Sequence, residues 1–311
     1  MHVLVTGGAG FIGSEVTRRL VAAGHEVTVL DDLSSGFEAN LEGVEARLVR
    51  GSVLDEAALA DAAAGAESII HLAAMVSVPQ SIEQPLACHE VNATGTVRVL
   101  ETARALGAQV VVASSSAVYG SNPTLPKTER DWVRPLTPYA STKLYTEQAT
   151  LAYGTSYGLP TLALRFFNVY GPRQDEFHPY AAVVPTWTYR LLTGQPLQVN
   201  GDGSITRDFI YVGALADLLV DAVTRRVSHD EPVNAAFGTE TSLRDLIGEL
   251  EQVTGLTADV AYGPGRAGDV QKSLADNTVM RSLFPDVHNV ALAEGLNETV
   301  SWFRERLGRR D

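Results

Sequence analysis

A tyrosine and a lysine stand four residues apart in Tyr139-Ala140-Ser141-Thr142-Lys143, directly after Pro138. On a helix this spacing puts both side chains on one face. A free phenol titrates near pH ~10, and bringing it to ~7 takes roughly 4 kcal/mol. An ammonium about 4 Å away supplies on the order of 4 kcal/mol at an effective dielectric near ~20, before desolvation works against it. Tyr139 assisted by Lys143 is therefore suited to take a proton from a hydroxyl group. An exposed Tyr–Lys pair on an amphipathic helix would share the spacing, so the setting matters. Ser114-Ser115-Ser116 follows the apolar run Val110-Val111-Val112-Ala113. In doubly wound sheets ligands bind at the carboxyl ends of strands, where a serine hydroxyl can hydrogen-bond a reacting oxygen or relay its proton. A serine-rich turn is the alternative.

A second constellation lies at the start of the chain, in Thr6-Gly7-Gly8-Ala9-Gly10-Phe11-Ile12-Gly13-Ser14. Glycines allow a tight turn, close approach of backbone to a pyrophosphate, and packing of helix on strand. The helix N-terminus then faces the phosphates. A structural turn could use a lone glycine triplet, but this one follows the first strand, opens a helix and is followed by an acidic residue. Asp31 lies 18 residues beyond Gly13, close to the spacing of a ribose-binding carboxylate. That carboxylate accepts from ribose hydroxyls and repels a 2′-phosphate, and no Arg or Lys lies between Asp31 and Arg47 to offset it. The expected cofactor is NAD rather than NADP.

Other chemistries find little support. The seven histidines are scattered without metal-ligand spacing, so no metal is expected. No G-x-S-x-G elbow surrounds any serine. The single cysteine, Cys88, reads as buried packing; one cysteine excludes an internal disulfide and fits a reducing compartment. The net charge of -13 argues against nucleic acid as a partner. The one basic cluster, Arg304, Arg306, Arg309 and Arg310, is broken by Glu305 and reads as a solvated final helix. No apolar stretch is long enough to span a membrane, and the glycine turn comes too soon for a signal-peptide apolar region. A cytoplasmic location is the expectation.

These groups need a frame. Short β-branched or apolar runs at residues 2–6, 25–30, 44–50, 67–72, 109–113 and 161–166 alternate with helix-like stretches at 14–23, 56–64 and 90–106. Runs such as Val110-Val111-Val112 lack polar alternation, as in strands buried on both faces. The fold class is therefore α/β, a Rossmann-type doubly wound parallel sheet, with a smaller C-terminal substrate-binding lobe. Residues 1–167 form the expected NAD-binding part and 168–311 the substrate-binding part, with 209–237 able to return to the first. After Asn168 prolines and glycines mark loops, two helices follow at 215–225 and 243–254, and a glycine-rich loop covers 262–268.

Thr6 to Gly13, His71-Leu72-Ala73-Ala74, Asn92, Ser114 to Gly120, Tyr139 to Lys143 and Leu164-Arg165-Phe166-Phe167-Asn168 together resemble the extended short-chain dehydrogenase/reductase superfamily. Within it the chain is similar, from end to end, to the UDP-hexose 4-epimerases. The resemblance implies Tyr139 as catalytic base, Lys143 lowering its pKa and holding the nicotinamide ribose, and Ser115 assisting at the 4-hydroxyl. It implies removal of the 4-OH proton while the C4 hydride passes to NAD. The 4-ketopyranose then turns and hydride returns to its other face. Cofactor contacts are implied for Gly7, Gly10, Phe11, Ile12, Gly13, Asp31, Asp32, Ser35, Gly36, Ser52, Val53, Leu72, Ala73, Ala74, Val76, Asn92, Ser114, Tyr139, Lys143 and Phe166. Substrate contacts are implied for Ser115, Ser116, Tyr139, Asn168, Val183, Gln198, Val199, Asn200, Arg207, Arg266, Asp269 and Ser273, with the arginines suited to phosphate and residues 197–200 lining a uracil slot.

Departures from the pattern narrow the reading. Ser116 and Ala117 stand where related dehydratases place Asp and Glu, so dehydration lacks its acids. Asp175 follows Gly171-Pro172-Arg173-Gln174 where uronate-acting members carry Arg. Ser52 replaces an Asp that many relatives aim at adenine, and Val76 replaces a lysine. Ser273 stands where enzymes restricted to UDP-glucose and UDP-galactose carry Tyr. A small residue leaves room for an acetamido group, so UDP-GlcNAc and UDP-GalNAc are expected substrates beside UDP-Glc and UDP-Gal. Rival readings are a UDP-glucuronate epimerase, another nucleotide-sugar oxidoreductase or decarboxylase, and a non-enzymatic NAD-sensing module. A homodimer built on helices near 90–106 and 139–157 is expected from family habit, with Val97, Leu100, Leu144 and Leu151 on the outer faces or in the core.

Overall fold

The computed structural model describes residues 1–177, 181–265 and 271–308. The first half alternates as its sequence pattern requires. It runs β1 (His2–Thr6), α1 (Phe11–Ala22), β2 (Glu26–Asp31), β3 (Arg47–Arg50), α2 (Glu56–Ala63), β4 (Ser68–His71), α3 (Val78–Glu83), α4 (Pro85–His89), α5 (Gly95–Leu106), β5 (Gln109–Ser115), α6 (Pro138–Tyr157) and β6 (Thr161–Phe166). The rest comprises β7 (Asn168–Tyr170), α7 (Val183–Leu192), β8 (Leu197–Asn200), β9 (Thr206–Arg207), β10 (Phe209–Tyr211), α8 (Val212–Thr224) and β11 (Val233–Ala235). It ends with β12 (Thr241–Ser242), α9 (Leu243–Thr254), β13 (Val260–Gly263), α10 (Thr278–Leu283) and α11 (Leu292–Gly308).

The main sheet is parallel, in the order β11-β6-β5-β4-β1-β2-β3. Alternate residues of each strand feed the two faces. Val3 and Val5 pack with α1, α8 and α10, while Leu4 packs with α2 and α5. The strand order reverses between β1 and β4, and this switch point is where a doubly wound sheet opens its ligand crevice. Val233–Ala235 pairs with β6, so the chain does return to the sheet; α10, whose Met280 lies in the same core, returns as well.

A separate core forms from α7, α9, α11, β8 and β10 through Trp187, Leu191, Leu197, Val199, Phe209, Leu250 and Leu296. Arg173, in the loop after β7, pairs with Glu15 of α1 and ties this part to the sheet. Residues 262 and 263, expected in a glycine-rich loop, instead end β13, which pairs with β8.

Candidate active site

Helix α6 begins sharply because Thr137 accepts the Ala140 N–H (3.2 Å) and Pro138 fills its first turn. This start presents Tyr139 and Lys143 toward the carboxyl end of β5. That strand runs through Ser114 and Ser115 rather than stopping before them, because both residues keep their ladder partners on β6. Ser115 also caps the short turn Ser116–Tyr119, accepting from Ala117 N–H at 3.2 Å. The Ser115 hydroxyl stands beside the Tyr139 phenol, near enough to lower its pKa. Ser114 is buried and turns its hydroxyl to Glu147, 2.8 Å away, so its side chain is committed within the protein.

The electrostatics differ from the expectation in one respect. Burial pushes the Tyr139 phenol up, and the Ser115 hydroxyl pulls the other way. Lys143 donates to the Ala113 carbonyl at 2.8 Å, and burial pushes its ammonium down to about 8. In the protein alone the lysine therefore serves the backbone, and its depression of the phenol is not realised. A dry site raises the energy of any charge it holds and sharpens its response to an added one.

The glycine turn forms a cradle that side chains would fill. A Cβ on Gly13 would come 2.1 Å from the Gly7 oxygen, and one on Gly7 (φ +71°) would come 2.7 Å from Ala73 N. Gly10 caps α1 without any side-chain hydrogen bond. The first-turn N–H groups of Phe11, Ile12 and Gly13 thus keep their capacity for an anion. Asp31 ends β2 with Oδ2 accepting from Ala9 N–H (2.9 Å) and Oδ1 from Leu33 N–H (2.8 Å). Each oxygen retains a second lone pair for a ribose hydroxyl. Burial raises this carboxyl, the N–H groups of Leu33 and Ala9 oppose the rise, and Asp32 adds to it; among the described residues no cation counters it. Gly36 closes against Ala9 and Asp31, Asp32 and Ser35 are exposed beside it, and Ser52 follows β3. These residues fit NAD.

Val53 is 3% exposed and packs in the core behind Gly95. Leu72, Ala73 and Ala74 leave β4 directly beneath the cradle, with Ala73 N donating to Thr6 at 3.3 Å, while Val76 stands in solvent. Phe166 faces Ser115 in the β5–β6 register. Asn92 sits in a π-helical turn, Glu90–Thr94. It accepts from Met75 N–H at 2.7 Å and donates to Thr142 at 3.0 Å, clamping the loop after β4 to α6. Behind it His71 is fully buried between Thr6 (2.8 Å) and Thr96 (3.2 Å) and is held neutral, pushed down to about 3 by burial.

A cleft of roughly 310 Å³ opens beyond β6, lined in part by Asn168, Gln174, Val183, Trp187, Asn200 and Arg207. Asn168 donates to the Asp208 carbonyl at 3.2 Å. Gln198 and Asn200 line the cleft, but the intervening Val199 is wholly buried in the second core. Strand alternation sends its side chain inward, so its predicted contact falls to its backbone alone. Ser273 pairs through its N–H with Thr206 O at 3.2 Å, one residue from Arg207. Arg266 and Asp269 lie outside the described residues.

The sequence reading missed Trp187, Gln174 and Phe209 as cleft residues; aromatics on a helix or strand read as core. Glu147 was visible as the next residue at i+4 spacing. Among the described residues no cluster of three metal-ligating side chains occurs, and no helix is long and apolar enough to cross a membrane.

Sites of this construction belong to enzymes that move hydrogen between a carbinol and a dinucleotide held on a doubly wound sheet. Residues 3–236 match the NAD dependent epimerase/dehydratase family, and the chain belongs to that family. A UDP-glucose 4-epimerase of Mycolicibacterium smegmatis is 40% identical over 98% of this chain and 99% of its own. Two solved structures, each 35% identical, superpose with TM-scores of 0.93. One is a UDP-N-acetylglucosamine 4-epimerase from Methanobrevibacter ruminantium in complex with UDP-N-acetylmuramic acid, covering 98% of both chains. The other is a UDP-glucose 4-epimerase from Thermotoga maritima with UDP-glucose, covering 99% of this chain and 100% of that one.

Proposed function

We propose that this protein is an NAD-dependent UDP-sugar 4-epimerase that inverts C4 through a transient 4-keto intermediate, acting on UDP-GlcNAc/UDP-GalNAc as well as UDP-Glc/UDP-Gal. One observation carries the reading. In the β5–β6 register Ser115 faces Phe166, and two residues further Asn168 lines the cleft. A nucleotide held in that cleft leaves its sugar beside Ser115 and Tyr139. The named activities of the relatives support the same substrate class.

NAD, when bound, supplies the acceptor and later the donor of the hydrogen at C4. The Tyr139 phenol takes the 4-OH proton in one half of the cycle and returns it in the other. Ser115 lies beside that phenol and lowers its pKa, and its hydroxyl reaches the substrate oxygen. Once cofactor and substrate complete the site, Lys143 brings a buried cation whose charge favours the phenolate, an influence the protein alone does not show. Arg207 lines the cleft and offers its guanidinium to the diphosphate; Gln198 and Asn200 flank the base. The part spanning 1–167 carries the cofactor groups, and 168–311 carries the nucleotide groups.

We also place the protein in the cytoplasm as a homodimer. Leu100 is core, Leu151 packs on its cluster, Leu144 packs on that of Tyr119 and Phe167, and Val97 is half-buried, so the apolar outer face is instead Leu106, Tyr145 and Tyr157. Sedimentation velocity tests the dimer. The function is tested by incubating the protein with each UDP-sugar and resolving C4 epimers by NMR. Epimers at equilibrium are expected. Net NADH release points instead to a reductase or decarboxylase, and NAD binding without turnover to a sensing module.

A further inference from the structure

Tyr139 and Lys143 continue along α6 to a third residue at the same spacing, Glu147, so the three share one helix face. Glu147 is fully buried, and Arg165 on β6 is nearly so. They meet as a fork. Arg165 Nε donates to Oε2 at 2.9 Å, and a terminal nitrogen donates to Oε1 at 2.8 Å. Ser114, next to Ser115 on β5, donates to Oε2 at 2.8 Å. The remaining Arg165 nitrogen donates to the Glu129 carbonyl at 3.2 Å. The guanidinium carbon lies 4.7 Å from the centre of the Tyr119 ring, in the turn that Ser115 caps.

A buried ion pair contributes little net stability compared with apolar residues of similar volume. Helices α2 and α5 are held on the same face of the sheet by apolar contacts, which would serve α6 equally well for adhesion. Apolar contacts tolerate small axial slides; a fork with a third donor does not, because each bond depends on distance and direction. Proton transfer at Tyr139 is similarly intolerant, since a misplacement of about 1 Å can cost on the order of a hundredfold in rate. Two successive residues of β5 are tied to successive turns of α6: Ala113 to Lys143 and Ser114 to Glu147. The next strand residue is Ser115.

We propose that Glu147 is a positioning residue for the reaction. With Arg165 and Ser114 it fixes the axial register of α6 on β5, and thereby the contact between the Tyr139 phenol and Ser115. This rests on the epimerase reading above, because turnover is its readout.

The decisive variant is Glu147→Leu/Arg165→Met, which keeps volume and removes charge, measured as purified protein with its bound NAD. A positioning role gives kcat lower by roughly tenfold or more, with KM for the UDP-sugar held within about twofold. Melting temperature is kept or raised and NAD content is retained. Parent-like kcat overturns the proposal. So does a kcat loss that only tracks a lowered folded fraction. Should the double variant not fold, Ser114→Ala leaves the ion pair in place. It should lower kcat roughly threefold or more at unchanged melting temperature, and parent-like kcat there is equally fatal. A parent protein that epimerises no UDP-sugar sinks the functional reading; an active parent beside equally active variants sinks the positioning role alone.

Discussion

Lys143 aims its ammonium at the carbonyl oxygen of Ala113, 2.8 Å away on β5, while the phenol of its neighbour on the same helix face, Tyr139, feels the hydroxyl of Ser115. The lysine is thus a strut between helix and strand as well as a charge. Among the described residues no carboxylate pairs with it to offset its desolvation, whereas Glu147, one turn further on, meets a guanidinium.

That arrangement makes stability depend on pH with a definite sign. Lys143 titrates near 8 in the folded chain against an ordinary 10.5. Between those values the unfolded chain binds more protons, so stability rises with pH across the window. Below it the buried charge costs about 3 kcal/mol. Lys143→Met should therefore abolish turnover yet melt above the parent at pH ~7, with the gap narrowing toward pH ~10. Thermal melts at the two pH values check this; a variant that melts lower at neutral pH contradicts it.

Removing the phenol oxygen should act on rate alone. Tyr139→Phe keeps the ring and loses a hydroxyl that serves Ser115 and the substrate. The expected fall in kcat is about 10²–10⁴-fold, with melting temperature and NAD content close to the parent's. NMR of the C4 epimers reads the rate, and interconversion at the parent's pace would refute the base assignment.

Cofactor choice should reside in one carboxylate. Asp31→Asn keeps one acceptor for the N–H groups of Ala9 and Leu33 but removes the charge that opposes a 2′-phosphate. NAD affinity should fall by roughly tenfold and NADP affinity should rise, since a lost charge-assisted hydrogen bond is worth about 1.5–3 kcal/mol. Calorimetric titration of the cofactor-free protein measures both. An unchanged ratio between the two dinucleotides would assign the choice elsewhere.

The cofactor side of the molecule was legible because its signals are local. Gly7, Gly10 and Gly13 lie within one seven-residue stretch, and β1 and β5 hold the unbroken apolar runs Val3–Val5 and Val110–Ala113. Local signals also set limits. Helix α1 begins at Phe11 rather than Ser14 because glycine supplies the cap, and glycine looks like a turn. The third strand shrinks to Arg47–Arg50 because a short helical turn, Glu38–Leu41, and its exit occupy the approach. The π-helical turn that presents Asn92 has no sequence mark, since it comes from a one-residue slip in backbone pairing. The substrate side depends on distant partners. Val199 faces the core and Gln198 the cleft through the phase of a strand paired with β13, which composition does not reveal. Glu147 showed its spacing but not its partner, because Arg165 reaches it only once β6 lies beside β5.

Substrate breadth should turn on the segment around Ser273. Its position is fixed from both sides. Thr206 N–H donates to Gln271 O at 3.0 Å, Ser273 N–H donates back to Thr206 O at 3.2 Å, and Asp208 accepts from Ala275 N–H at 3.1 Å. Asp208 also accepts from Gly238 and Thr239, which anchors the segment beside β9 and Arg207. A side chain added at 273 therefore cannot be accommodated by an easy slide of the backbone, and on the function proposed above an aromatic ring there would take space that an acetamido group uses. Ser273→Tyr should lower kcat/KM for UDP-GlcNAc and UDP-GalNAc by at least roughly tenfold, at the low end of what a filled pocket achieves, while UDP-Glc and UDP-Gal stay within about threefold. Competing the paired sugars in one reaction reads the ratio directly. Undiminished activity on the N-acetyl sugars would show that the acetamido group is seated elsewhere in the cleft.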